Sequence, residues 1–118
     1  MAKRKQEEYQ CPLEVTMEII GGKYKGVIIG HLMDKTLRYS ELKKLIPHST
    51  PKMLIQQLKE LEQDGIIKRK MYPVVPPKTE YSLTKRGEGL IPAIIELNRW
   101  GINYLKEENI KCAYKGEI

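Results

Sequence analysis

The stretch MYPVVPPKTEYSLT, residues 71–84, limits the fold more than any other part of this chain. Proline brings no N–H to a sheet ladder, so Pro73, Pro76 and Pro77 belong at an edge, a bulge or a turn. The residues on either side read as strands. Ile66–Tyr72 comes before, and Thr79–Thr84 alternates with β-branched and aromatic side chains, as a half-buried strand does. The chain therefore holds a β-hairpin with a stiff exposed loop at 73–78, too long for a tight turn.

The remainder reads as helices. Pro12 suits the first position of a short helix through Ile20, with Cys11 at its N-cap and Gly21-Gly22 at its end. Lys23–Met33 is a second, mostly buried helix. Leu37-Arg38-Tyr39 is a short extended entry, and Ser40 caps a third helix, Glu41–Ile46, stopped by Pro47. Thr50 caps the next helix, Pro51 opens it, and Gly65 stops it after Asp64. Thr84 caps a long terminal helix through Leu105, with a kink expected at Pro92. Two helices joined by a short turn and followed by a hairpin match a winged helix-turn-helix, with 73–78 as the wing. The fold class expected is mainly α with a small β-hairpin. A flexible basic arm at 1–10 and a tail at 109–118 would flank a winged helix domain at 11–108.

A chain of 118 residues forms one domain with a small core, so dimerisation would add useful burial. No apolar run approaches the roughly 20 residues that span a bilayer. Met1-Ala2-Lys3-Arg4-Lys5 leads into no apolar segment of a signal peptide, so a cytoplasmic location is expected. Cys11 and Cys112 make neither a disulfide scaffold nor a zinc site, and no cofactor is expected. The net charge of +6 is unevenly spread. Residues 22–86 carry 14 Lys/Arg against 6 Asp/Glu, whereas each flank is net −1. That is the footprint of a surface meeting a polyanion, most simply double-stranded DNA.

Helix 51–64 has a periodicity that separates two faces. At about 100° per residue, with Leu54 at 0°, Leu58 falls near 40° and Leu61 near −20°. Lys52, Gln56, Lys59 and Gln63 fall at about 140–200°, opposite this core face, with Ile55 on the shoulder. Lysine suits guanine O6/N7, glutamine pairs bidentately with adenine, and isoleucine packs on a thymine methyl. Lys52, Ile55 and Gln56 are the candidate base contacts, and Lys59 a phosphate contact; Thr50, at the helix start, joins the set. Arg38, Lys43, Lys44, Lys68, Lys70 and Lys78 are candidate phosphate contacts, Lys78 foremost as the wing tip. Lys23, opening a helix after two glycines, could help backbone N–H groups hold a phosphate.

Enzymatic chemistry finds no support. His31 and His48 have no nucleophile or carboxylate at motif spacing, His31 sits in an apolar helix, and no phosphate loop or metal-ligand pattern occurs. A winged helix that binds protein instead of DNA stays open. Charge reversal at Lys52 and Lys78 separates the two, because only DNA binding should collapse.

Several motifs occur in order: Cys11-Pro12, Gly21-Gly22-Lys23-Tyr24-Lys25, Arg38-Tyr39-Ser40-Glu41-Leu42, the run Met53–Gly65, the run Tyr72–Thr84, and Trp100-Gly101. Together they resemble the HxlR-type bacterial regulators, among the MarR-like winged helix proteins. Tyr24 stands where that family usually has Trp, and Ile55 where a small polar residue is common. The resemblance implies a homodimeric DNA-binding transcriptional regulator, its dimer built from the first and last helices. The last helix agrees: Leu90, Ile94, Leu97, Trp100, Ile102 and Tyr104 cover more than one stripe, which suits a core and a second subunit. Leu13, Met17, Ile94, Leu97, Trp100 and Tyr104 are the candidate interface. Cys11 is a candidate thiol sensor. A helix N-terminus favours an anion, and some members of the resembled family are thought to sense quinones, aldehydes or oxidants near this position. Cys112 as a partner for it stays open.

Overall fold

The computed structural model describes residues 6–113. The first helix, α1, runs Pro12–Ile20, and α2 runs Lys25–His31. A two-residue strand β1, Leu37–Arg38, leads into α3, Tyr39–Leu45, and α4, Pro51–Gln63. The hairpin is β2, Ile67–Tyr72, and β3, Lys78–Leu83; α5, Lys85–Glu88, and α6, Ile91–Glu107, follow. This is a winged helix-turn-helix.

The core forms around α2, where every residue from Ile28 to Leu32 is buried. Leu42 of α3 and Leu54, Leu58 and Leu61 of α4 close on it, as the period of α4 requires. His31 is among the buried residues. Its imidazole is held below the ordinary value of 6.5, chiefly by burial and secondarily by the charge of Lys35.

The sheet is antiparallel, in the order β1-β3-β2. The hairpin register runs from Ile67↔Leu83 at the core to Tyr72↔Lys78 at the far end. Ile67 and Leu83 are buried, while Lys68 to Met71 are all exposed, so the hairpin leaves the body as it lengthens. The extended entry is a third strand, with Leu37 opposite Tyr81 and Arg38 opposite Glu80.

Several expected boundaries move. The second helix loses Lys23 and Tyr24 at its start; Tyr24 is its N-cap. The third helix begins at Tyr39, not after Ser40, because the Arg38 N–H donates to the Glu41 carboxylate at 2.8 Å. The terminal helix is two helices. Thr84 caps only α5, its hydroxyl accepting the Gly87 N–H at 3.1 Å, and Gly89-Leu90 separates α5 from α6. Pro92 then lies in the first turn of α6 and does not kink it. First-turn N–H groups have no helical acceptor, so proline there removes no bond.

At its other end α4 stops at Gly65, whose φ of +75° is disfavoured for residues with a Cβ. The Ile66 N–H returns to the Leu61 carbonyl at 2.9 Å, and the Arg86 guanidinium donates to the Asp64 carbonyl at 2.9 Å. These bonds fix where the helix ends and the wing begins.

Candidate nucleic-acid interface

Helices α3 and α4 are joined by a turn in which the Ser49 and Thr50 hydroxyls bond to the backbone. The Ser49 hydroxyl is buried and donates to the Ile46 carbonyl at 2.7 Å. The Thr50 hydroxyl accepts the Met53 N–H at 3.1 Å, which caps α4 as expected. Thr50 itself is exposed, and its hydroxyl hydrogen can still be donated.

Lys52, Ile55, Gln56, Lys59 and Gln63 are all exposed along α4. Met53 is exposed beside them and was not anticipated; its place on the flank of the same face was the signal. The carboxylate of Glu60 accepts from the Gln56 side-chain amide at 3.3 Å.

The wing lies next to α4, tied by an ion pair of 3.5 Å between Arg69 of β2 and Glu62 of α4. Arg69, absent from the sequence-derived set, is thereby placed with Lys68 and Lys70 on an exposed basic strand. Lys78 is not the wing tip. It pairs with Tyr72 at the end of the ladder, with its ammonium 4.6 Å from the Tyr72 ring centroid and 3.9 Å from the Glu80 carboxylate. Lys70 reaches the same ring at 5.0 Å, so two cations gather on Tyr72 at the base of the loop. The tip is apolar: Val75 is 99% exposed. Tyr81 of β3 is held neutral to higher pH, mainly by burial.

Other candidates scatter. Arg38 is exposed beside α3, Lys44 is exposed on α3, and Lys43 donates to the Pro47 carbonyl at 3.3 Å. Lys23 does not open a helix; it stands in the turn before α2, 5.5 Å from the Tyr24 ring centroid. Lys25, to which the sequence assigned no contact, is buried and paired with Glu60 of α4.

A separate apolar surface runs along α1 and α6. Leu13, Met17, Leu97, Trp100 and Tyr104 are all exposed, Trp100 by 67%, and Trp100 stacks on Tyr104 at 5.4 Å. Between the helices lies a groove of about 580 Å³, lined in part by Leu13, Met17, Ala93, Leu97 and Trp100. Ile94, expected with them, is turned into the protomer's own core instead, 6% exposed. Cys11, the N-cap of α1, is exposed, and its N–H donates to the Glu14 carboxylate at 3.0 Å. Neither Cys11 nor Cys112 is in a disulfide, and both are exposed.

Among the described residues no group of three or more metal-ligating side chains occurs, and no helix is long and apolar enough to cross a membrane. The profile of the HxlR-like helix-turn-helix family matches residues 19–109. The HTH-type transcriptional regulator YkvN of Bacillus subtilis (strain 168) is 50% identical over 109 residues, 92% of each chain. The regulator YdeP of the same organism is 47% identical over 91% of this chain and 84% of its own. Among solved structures, the redox regulator HypR in its oxidized form is similar with a TM-score of 0.76 and 45% identity, over 79% of this chain and 96% of that one. The reduced form of the transcriptional regulator YodB from B. subtilis gives a TM-score of 0.69 and 36% identity, over 81% and 95%.

Proposed function

The chain belongs to the HxlR-like helix-turn-helix family of transcriptional regulators, and on that footing we propose that it acts as a homodimer reading double-stranded DNA. Helix α4 enters the major groove. Lys52, Ile55 and Gln56 meet base edges, and Lys59 meets a phosphate. The wing lies on the adjacent backbone or minor groove, with Lys68, Lys70 and Lys78 supplying charge. Thr50 at the start of α4, and Arg38 and Lys23 away from it, are read as further contacts. The observation that carries the reading is the split of α4: Leu54, Leu58 and Leu61 are buried, and a Lys/Ile/Gln/Lys row opposite is exposed beside a basic hairpin.

The apolar surface of α1 and α6 is read as the dimer interface, because a second copy covers exposed side chains that one subunit leaves in water. Two copies of α4 then meet two half-sites. A cytoplasmic site of action goes with this role. Cys11 is read as a thiol switch on α1. Its exposure supports this, as does the likeness to HypR, a redox regulator by name.

The test is binding of the reduced protein to a randomised duplex library at two salt concentrations. Selection of a two-fold related motif, with affinity falling steeply as salt rises, is the expected result. Failure to retain any duplex at low salt would refute the reading and favour a protein-binding module.

A further inference from the structure

Resting on the DNA-reading role of α4, we infer that Lys25 is a positioning residue for base recognition: through Glu60 it fixes the side chain of Gln56. Lys25 opens α2 and is 6% exposed. Its ammonium lies 2.5 Å from Oε1 of Glu60. The other oxygen, Oε2, accepts from Nε2 of Gln56 at 3.3 Å. One carboxylate therefore joins a buried cation to an outward-facing amide.

The backbone around Lys25 is anchored to the same helix. The Tyr24 N–H donates to the Gln57 side-chain carbonyl at 2.8 Å, in a buried bond. Gly22 leaves the room: a Cβ there would lie 3.0 Å from two carbons of the Lys25 side chain and 3.1 Å from the Gln57 oxygen. Any larger residue at 22 would crowd the fold-back of Lys25 that reaches Glu60.

The chemistry follows from what each group needs. A buried ammonium requires a partner, so Lys25 holds Glu60 in one rotamer although the Glu60 side chain is 39% exposed. A fixed carboxylate beside Gln56 then selects which end of its amide faces inward, because only Nε2 can donate to it. One Nε2 hydrogen and Oε1 stay available. Those are the donor and acceptor that a bidentate contact to adenine N7 and N6 uses. The side chain enters the groove already ordered, and less rotamer freedom is lost on binding.

The experiment selects motifs from a randomised duplex library with the wild type, Gln56→Ala, Lys25→Met, Lys25→Arg and the double variant Lys25→Met/Glu60→Leu. The double variant removes both charges, so no unpaired ion threatens folding. Gln56→Ala should lose preference at one base pair per half-site, by about 10-fold. Lys25→Met and the double variant should blunt that same base pair and spare the others. Lys25→Arg should retain it, and a further variant, Lys25→Met/Gln56→Ala, should change nothing there beyond Gln56→Ala alone. An even loss across all positions, or a preference that survives at the Gln56 base pair, would overturn the inference while leaving the DNA-reading role intact. A wild type that selects no motif would remove both.

Discussion

His31 and Cys11 sit at opposite extremes of exposure, and each makes a single-residue claim. His31 is buried at the end of α2, with burial and then Lys35 disfavouring its charged form. Just below pH 6.5 the unfolded chain binds a proton there that the folded chain does not, so stability drops as pH falls from 6.5 towards the lower folded value. An NMR titration should find the His31 imidazole changing charge below 6.5; a midpoint at or above 6.5 would contradict this account. Cys11 is exposed at the start of a helix whose apolar side chains flank the groove with α6. Cys11→Ser should keep DNA affinity and lose its response to a thiol oxidant such as diamide. An unchanged response to diamide in that variant would end the proposed switch.

At the level of elements, the helix-turn-helix depends on where α4 begins. The Thr50 cap satisfies an N–H that the helix cannot, and Pro51 occupies a position whose missing N–H matters little. Thr50→Ala should destabilise the protein by about 1 kcal/mol, read as a lower urea midpoint at unchanged slope. The wing is governed differently. Its base gathers Lys70 and Lys78 on Tyr72, while Val75 projects without charge. Charge is therefore stationed at the base of the loop, and apolar atoms form its tip.

For the whole molecule, the question is how the α1–α6 surface is covered. Leu97 lines the groove together with Met17 and Trp100 and is exposed. Leu97→Glu should place a carboxylate in that apolar seam and shift the protein to monomer in sedimentation at micromolar concentration. DNA affinity should fall with it, by about 100-fold or more, because the second half-site no longer adds at high effective concentration. A variant that stays dimeric would move the interface elsewhere.

The sequence by itself determined the order of the first four helices and the hairpin, the two faces of α4, the wing and the family, because each is written in short-range signals. Leucines at helical spacing, Thr50-Pro51 at one end of α4 and prolines between two strands act within a few residues of themselves. Signals a few residues long also misled. Pro92 reads as a kink in one long helix, and only the break at Gly89-Leu90 turns it into a helix start. Lys78 looks like a tip until its pairing with Tyr72 is known. Strand β1 is two residues, too short for a period, and exists because β3 offers it a partner. Ile94 belongs to a helix apolar on two sides, and only packing against α2 assigns it to the core. The tertiary structure alone brought Lys25 to Glu60 and Tyr24 to Gln57, the second pair 33 residues apart. Lys25 became a buried anchor because two helices, packed by their leucines and isoleucines, brought the Glu60 carboxylate within reach of its ammonium.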